Sequence, residues 1–433
     1  MSAAEPHHAA HPHGGLRIDG PRLWQRLAEL GEIGAVHGPN GEHGSARLAL
    51  TDADREGRDL VVAWMRDLEL EISIDAIGNV IGTRAGSDPT AAAVMTGSHI
   101  DTVRTGGRFD GNLGVLAGLE VIETIAQRGI VTRRPLQVGF FTDEEGARFQ
   151  PDMLGSLVYV GGLALEEALD ARAADDDARL GDELNRIGYA GPTPCPAAAA
   201  PAAFVELHIE QGPVLEAVGT TIGVVTGVQG ISWSELTITG RSAHAGTTPI
   251  HLRRDPLVPA AEIAVQARRL AVELTAENSD HPQVATVGRL ELFPNLVNVV
   301  AQSAVFTLDL RNTDEATLQR AEAHMREFAL AACAREGCTL TTRSLARFEP
   351  VAFSTAMIDR VERVAGGLGL TTRRMPSGAG HDAQMLARVC PTSMIFVPSV
   401  DGLSHNIAEL TNADDIEAGG NVLLQTILDL ALD

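Results

Sequence analysis

Aromatic side chains are scarce in this chain, at 4 % of 433 residues, so a surface that stacks nucleic-acid bases is not expected. Cysteine is scarce too. Cys195, Cys333, Cys338 and Cys390 are too few and too scattered for a disulfide framework. Cys333 and Cys338 lie close together, but no second Cys or His pair completes a structural zinc site, so buried, reduced thiols are expected. Basic residues are outnumbered, 34 against 57 acidic, for a formal charge of −23. Such a surface repels phosphate backbones and anionic lipid, which argues against nucleic acid and membrane as partners. No apolar run approaches a membrane span, and Met1-Ser-Ala-Ala-Glu-Pro-His-His8 lacks the apolar core of a signal peptide. A cytoplasmic location is expected.

A chain of 433 residues exceeds what one hydrophobic core usually supports, so two domains are expected. His7, His8, His11 and His13 lie in a Pro/Ala/Gly-rich terminus that cannot hold them in fixed geometry, and residues 1–19 read as a disordered tail. Thr51 should cap a helix whose Leu60, Val61, Trp64, Met65 and Leu68 recur at three- and four-residue spacing. Ala92–Thr96 reads as a buried strand, 113–128 as a helix stopped by Gly129, and Leu136–Phe141 as the next strand. Asp175-Asp-Asp177 reads as a solvated turn within an excursion over 171–203, before a strand over Phe204–His208. Strands and helices in alternation describe an open α/β sheet, in which ligands bind beyond the carboxyl ends of the strands. From about Val228 the periodicity changes. Strands over 234–239, 284–292, 304–310 and 339–343, with helices over 256–274 and 315–335, give the order βαββαβ. We expect this unit, 228–345, to be inserted as a lid into a discontinuous domain of 20–227 and 346–433.

Five residues carry the chemistry: His99, Asp110, Glu145, His208 and His405. They stand in Gly97-Ser-His-Ile-Asp-Thr-Val103, Phe109-Asp-Gly111, Phe141-Thr-Asp-Glu-Glu-Gly146, Glu206-Leu-His-Ile-Glu-Gln-Gly212 and Ser404-His-Asn406. Three imidazoles and two carboxylates can hold two metal ions if one carboxylate bridges. Such a site activates water at neutral pH and clamps the oxyanion that forms on attack, which reads as a hydrolase. Asp101 is placed to take the other ring N–H of His99. Two adjacent carboxylates after the apolar Val138-Gly-Phe-Phe141 would be costly without cations, so one should bind metal while the other stays free as a general base. His244 and Arg311 fall in the second unit, where spacing alone leaves a functional and a solvated role equally open.

These segments resemble the amidohydrolase branch of the aminoacylase/dipeptidase-like binuclear metallohydrolases. That branch includes N-carbamoyl-L-amino acid hydrolases, allantoate amidohydrolases and β-ureidopropionases. His244-Ala-Gly-Thr-Thr-Pro249, Asn295-Leu-Val-Asn-Val-Val300 and Ser377-Gly-Ala-Gly-His-Asp382 extend the likeness from about residue 20 onward. The resemblance implies a zinc-peptidase-like α/β catalytic domain with a mixed sheet, an inserted lid that forms a homodimer, and two divalent ions (zinc, manganese, cobalt or nickel). By position, Asp110 matches the bridging carboxylate, His99 and His208 ligands of one ion, Glu145 and His405 ligands of the other, and Glu144 the general base. His244 matches a lid histidine that reaches the partner subunit's active site. Asn298 and Arg311 match holders of the substrate carboxylate, Gly378 and Ala379 a loop that contacts it, and Gln211, one helical turn beyond His208, a substrate contact. His381 and Asp382 fall in the substrate loop rather than the metal set. The implied reaction is hydrolysis of the ureido C–N bond of an N-carbamoyl-L-amino acid, with allantoate next, then β-ureido acids or acylated and dipeptide substrates.

Overall fold

A computed structural model describes residues 15–174, 176–279 and 281–433. Most of the expected tail, 1–14, and position 175 of the expected turn lie outside the described residues. The end of that tail is anchored instead. Ile18 is buried and its N–H donates to Asn421 Oδ1 (3.0 Å), Gln425 Nε2 donates to the Leu16 carbonyl (2.9 Å), and Asp19 caps the helix Gly20–Gly31. Composition had placed Leu16 to Asp19 in the tail; these backbone bonds take them out of it. Two compact units make up the chain, Met1–Thr226 with Phe353–Asp433, and Gly227–Ala352.

In the first unit the sheet runs in the order Ile222–Val228, Thr392–Val397, Ala203–Ile209, Val94–His99, Leu136–Phe141, Val80–Arg84 and Glu71–Ile74. The strands 392–397, 203–209, 94–99 and 136–141 are mutually parallel, and antiparallel strands flank them, so the sheet is mixed. Three of the four parallel strands are buried at every residue, the pattern of strands covered on both faces. Their neighbours follow local rules. Thr51 caps Asp52–Asp67 by accepting the Asp54 N–H, and Gly129, at φ 64°, follows the helix Asn112–Gln127. All four parallel strands point their carboxyl ends the same way. His99 is the last residue of its strand, Thr142 to Glu145 follow Phe141, and His208 stands one residue before its strand ends. No helix among the described residues is long and apolar enough to cross a membrane.

The second unit has an antiparallel sheet, ordered Val284–Thr286, Ser303–Asn312, Gly230–Thr239, Thr339–Phe348, with Leu290–Phe293 also paired to the Ser303 strand. The strand expected over 284–292 is therefore two short ones. Thr286 pairs with Asp309 and Leu290 with Phe306, so three residues centred on Gly288 face two, a bulge that the alternation of side chains did not reveal. Helices Leu257–Glu277 and Glu315–Arg335 cover one face, burying Leu236, Ile263, Leu270, Phe306, Leu310 and Met325 among others. A two-stranded ribbon, Ala243–His244 against Val299–Val300, carries His244 next to Asn298.

Candidate metal centre

The loops beyond the parallel strands bring the five expected ligands together. His99, Asp110 and His208 offer ligand atoms within 4.8 Å of one another, and so do Asp110, Glu145 and His405. Asp110 belongs to both groups. Its Oδ1 lies 3.2 Å from His208 Nε2 and 3.6 Å from His99 Nε2, while its Oδ2 lies 3.6 Å from His405 Nε2, which is 3.0 Å from Glu145 Oε2. Gly111 makes this closeness possible. At φ 67° and ψ −48° it turns the chain into the helix Asn112–Gln127, and a Cβ there would stand 2.4 Å from the His99 ring. Asp143, Gln211 and His405, in the loops around the cluster, all hold positive φ (56°, 56° and 53°).

Tautomers follow from the hydrogen bonds. His99 Nδ1 meets the carbonyl of Asp101 and His208 Nδ1 the carbonyl of Ile209, each at 2.9 Å, so both Nδ1 atoms donate. The Gly111 N–H points at His208 Nε2 (3.2 Å), consistent with a lone pair there. A neutral ring in this tautomer turns its Nε2 lone pair toward the Asp110 carboxylate, an arrangement that repels unless positive charge lies between. Burial disfavours a proton on His99, but Glu144, Asp110 and Asp101 outweigh it and raise its pKa well above the usual value. His208 is raised for the same reason, through Asp110 and then Glu206. Burial opposes charge on Asp110, yet His208 and His99 hold it well below the usual carboxylate range. Burial pushes Glu144 well above its usual range, against the pull of His99, whose Nε2 is 3.4 Å from Glu144 Oε2. Glu145 Oε1 is buried with no hydrogen-bond partner among the described residues. A donor set of imidazole nitrogens and carboxylate oxygens with an orphaned oxygen fits divalent metal.

A third group, Glu206, His208 and His381, is also compact, but its atoms are engaged. Ser98 Oγ and the Ala383 N–H donate to the two Glu206 oxygens, and His381 Nε2 is 2.8 Å from Ser377 Oγ. Asp101 differs from expectation in one respect. Its backbone carbonyl, not its carboxylate, takes the His99 N–H, and the carboxylate oxygens accept the N–H groups of Glu144 and Glu145 at 3.3 Å each. Gln211 is not a helical turn past His208, because His208 is in a strand. Gln211 stands in the loop beyond, with Nε2 donating to Asp110 Oδ2 (2.8 Å). The Ala379 N–H donates to Ser377 Oγ (3.1 Å), and Gly378 is exposed. His244, Asn298 and Arg311 all lie in the second unit. Arg311 is bound to Asp309 (3.1 Å) and stands over the Trp233 ring at 5.5 Å. Sequence reasoning missed Glu206, Ser404 and Glu409. Glu409, in His405-Asn-Ile-Ala-Glu409, had only its nearness to His405 as a signal.

A model of peptidase family M20/M25/M40 matches residues 95–429. An N-carbamoyl-L-amino acid amidohydrolase of Geobacillus stearothermophilus is 42 % identical over 422 residues, 96 % of this chain and 99 % of the relative. A probable allantoate deiminase of Oryza sativa subsp. japonica is 32 % identical over 97 % of this chain and 92 % of its own. Among solved structures, an amidase of the hydantoinase/carbamoylase family from Burkholderia multivorans matches with a TM-score of 0.92 and 44 % identity, covering 97 % of this chain and 99 % of that one. The resemblance read from the motifs is borne out.

Proposed function

The chain belongs to peptidase family M20/M25/M40, and on that premise we propose that it is a metal-dependent amidohydrolase that cleaves the ureido C–N bond of N-carbamoyl-L-amino acids. The full-length identity to the Geobacillus stearothermophilus amidohydrolase carries the reading, and the paired donor groups around Asp110 supply a chemical reason for it. Two divalent ions would be held by His99, Asp110 and His208, and by Asp110, Glu145 and His405. Bound there, they would polarise the ureido carbonyl and acidify water.

The remaining work falls to the chain's own residues. Glu144, buried and free of the donor groups, takes a proton from the attacking water and returns it to the leaving nitrogen. Water adds to the ureido carbonyl, the C–N bond to the terminal nitrogen breaks, and ammonia leaves. The carbamate that remains on the amino nitrogen then loses carbon dioxide to give the amino acid. Arg311 and Asn298 hold the substrate carboxylate, with Gly378 and Ala379 adding backbone contacts and Gln211 a side-chain contact. A guanidinium fork suits the carboxylate better than a lysine would.

We further propose a homodimer through the inserted unit. Val258, Val265 and Val272 form an exposed stripe along Leu257–Glu277, 38 %, 53 % and 64 % accessible. Beside it, the strand Val284–Thr286 is paired on one side only among the described residues. His244 then acts on the partner's substrate. Its Nδ1 accepts the N–H groups of Gly246 and Thr247 (3.0 and 3.1 Å), which leaves Nε2–H as an outward donor suited to a developing oxyanion. Allantoate is the second reading, favoured by the rice relative. Manganese-loaded protein offered N-carbamoyl-L-methionine and allantoate in parallel should release ammonia faster from the carbamoyl amino acid. Faster release from allantoate would move the assignment to that substrate, and silence on both with metal bound would sink the ureido assignment.

A further inference from the structure

His405 is the exception among the five expected ligands. Its side chain is 50 % exposed, against 1–5 % for the other four, and it sits on a loop in a positive-φ conformation. Asp110, by contrast, is tied into the start of a helix, where the Asn112 N–H donates to its carbonyl (2.7 Å) and the Leu113 N–H to that of Phe109 (3.0 Å). An exposed loop imidazole would ordinarily wander, and a metal donor must be placed within a few tenths of an ångström.

What ties the His405 loop to the Asp110 loop is a buried carboxylate outside both donor groups. Glu409 is 3 % exposed. Its Oε1 accepts the N–H groups of Phe109 and Asp110, each at 3.1 Å, and its Oε2 lies 3.1 Å from Ser404 Oγ, the residue before His405. Ser404 Oγ also donates to Asp110 Oδ2 (2.8 Å), and Thr105 Oγ1 donates to the His405 carbonyl (3.3 Å). The Glu409 N–H closes the turn on the Asn406 carbonyl at 2.9 Å. The approach is close enough that a Cβ on Gly107 would stand 2.0 Å from Glu409 Oε1, so the 106–110 backbone lies directly on this carboxylate.

We propose that Glu409 is a positioning residue that sets the separation of His405 from Asp110, and so governs the Asp110–Glu145–His405 donor group without entering it. The inference rests on reading that group as a metal site. Asp110 keeps its helix anchorage without Glu409, so the His99–Asp110–His208 group should barely notice its loss. The His405 backbone keeps the Thr105 bond but loses the tie that Ser404 makes to Glu409, and its group should weaken.

Metal-stripped full-length protein, titrated with zinc by calorimetry and checked for bound zinc by mass spectrometry, separates these cases. Wild type should take up two ions per chain. Glu409→Ala should weaken the second ion about 10–100-fold and the first by less than about twofold. Glu409→Gln, whose amide oxygen still accepts both backbone N–H groups, should restore the second ion to within about threefold of wild type. Unchanged binding of both ions by Glu409→Ala, or equal weakening of both, overturns the proposal. Should Glu409→Ala fail to fold, as metal-free melting would reveal, Glu409→Asp takes its place. It keeps the carboxyl group but is too short to span both loops, so it must still weaken the second ion selectively or the proposal falls. Wild type that binds no zinc overturns the metal reading itself, a result distinct from the others.

Discussion

Replacing Gly111 with alanine should cost this protein both stability and metal, for one geometric reason. The residue holds φ 67° and ψ −48°, outside the regions open to an L-residue, which alone costs about 1–3 kcal/mol. Its new Cβ would stand 2.4 Å from Cε1 and Nε2 of His99 and 2.5 Å from Cδ2, about 1 Å inside ordinary contact. The ring has nowhere to retreat, being 1 % exposed and tied by Nδ1 to the Asp101 carbonyl. Overpacking of this kind adds about 1–3 kcal/mol, so metal-free Gly111→Ala should lose about 2–6 kcal/mol. Displacing Nε2 should also weaken metal about 10–100-fold, removing a further ~1.4–2.7 kcal/mol from the loaded form. Urea unfolding followed by circular dichroism, with and without zinc, gives both numbers. The variant should unfold earlier than wild type when both are stripped, and the gap should widen when both are loaded. A gap that stays constant on loading would mean that the ring had not moved, and no gap in either state would refute the steric argument altogether.

Glu144→Gln should retain its metal while ammonia release falls about 10²–10⁴-fold, because it removes proton transfer and not a donor; loss of bound metal would make Glu144 a ligand instead. His244 is exposed within its own unit, so His244→Ala should melt within about 2 °C of wild type yet turn over slowly. If it serves the partner, mixing it with inactive Glu144→Gln under conditions of subunit exchange should restore activity that neither variant has alone. Metal-free protein should lose stability as pH rises. Burial pushes Asp101 up to about 6 and Asp382 and Glu409 up to about 8, and the hydrogen bond to Glu145 pulls His405 up to about 9. Each group binds its proton more tightly folded than unfolded, so its contribution is complete below its unfolded pKa and fades as pH passes the folded one. The decline should span about pH 4 to 9, and a chemical-denaturation series that instead rises across this window would contradict it.

The strands that end at the candidate site were legible because each is a short apolar run that stops at a polar cluster. Leu136–Phe141 is found at the boundaries expected, and Val94–His99 and Ala203–Ile209 within a few residues. The helix over 315–335 was equally plain, with Asp314 as its cap. What escaped was whatever depends on one residue meeting another far along the chain. The bulge at Gly288 exists only as a register between two strands. The Asp101 contact swapped carboxylate for carbonyl because the backbone turns just after His99, and sequence records side chains, not the direction of a peptide plane. Glu409 was invisible because nothing local distinguishes a buried glutamate that bridges loops 299 positions apart from a solvated one.

The buried acids explain why fold and chemistry are hard to separate in the first unit. Asp101, Asp110, Asp143, Glu144, Glu206, Asp382 and Glu409 are all buried, and several raise one another's pKa: Asp382 and Asp101 act on Glu144, Asp101 on Asp143, and Glu206 on Asp382. Of these Arg47 faces Asp101 alone, so a single buried guanidinium does not balance the cluster. It is wholly buried, but its guanidinium is spent on the carbonyls of Ile100, Leu30 and Ile33 and on the Asn112 side chain, holding the His99 loop against the helix that follows Asp110. Burying so many carboxylates is costly unless protons or cations compensate. Protons would do so only by removing the charge that the proposed chemistry needs. Divalent ions between the imidazoles and carboxylates would leave Glu144 as the group with a proton to exchange. Stability and activity should therefore rise together with metal occupancy, and a variant that is stabilised by neutralising this cluster should be stabilised at the expense of turnover.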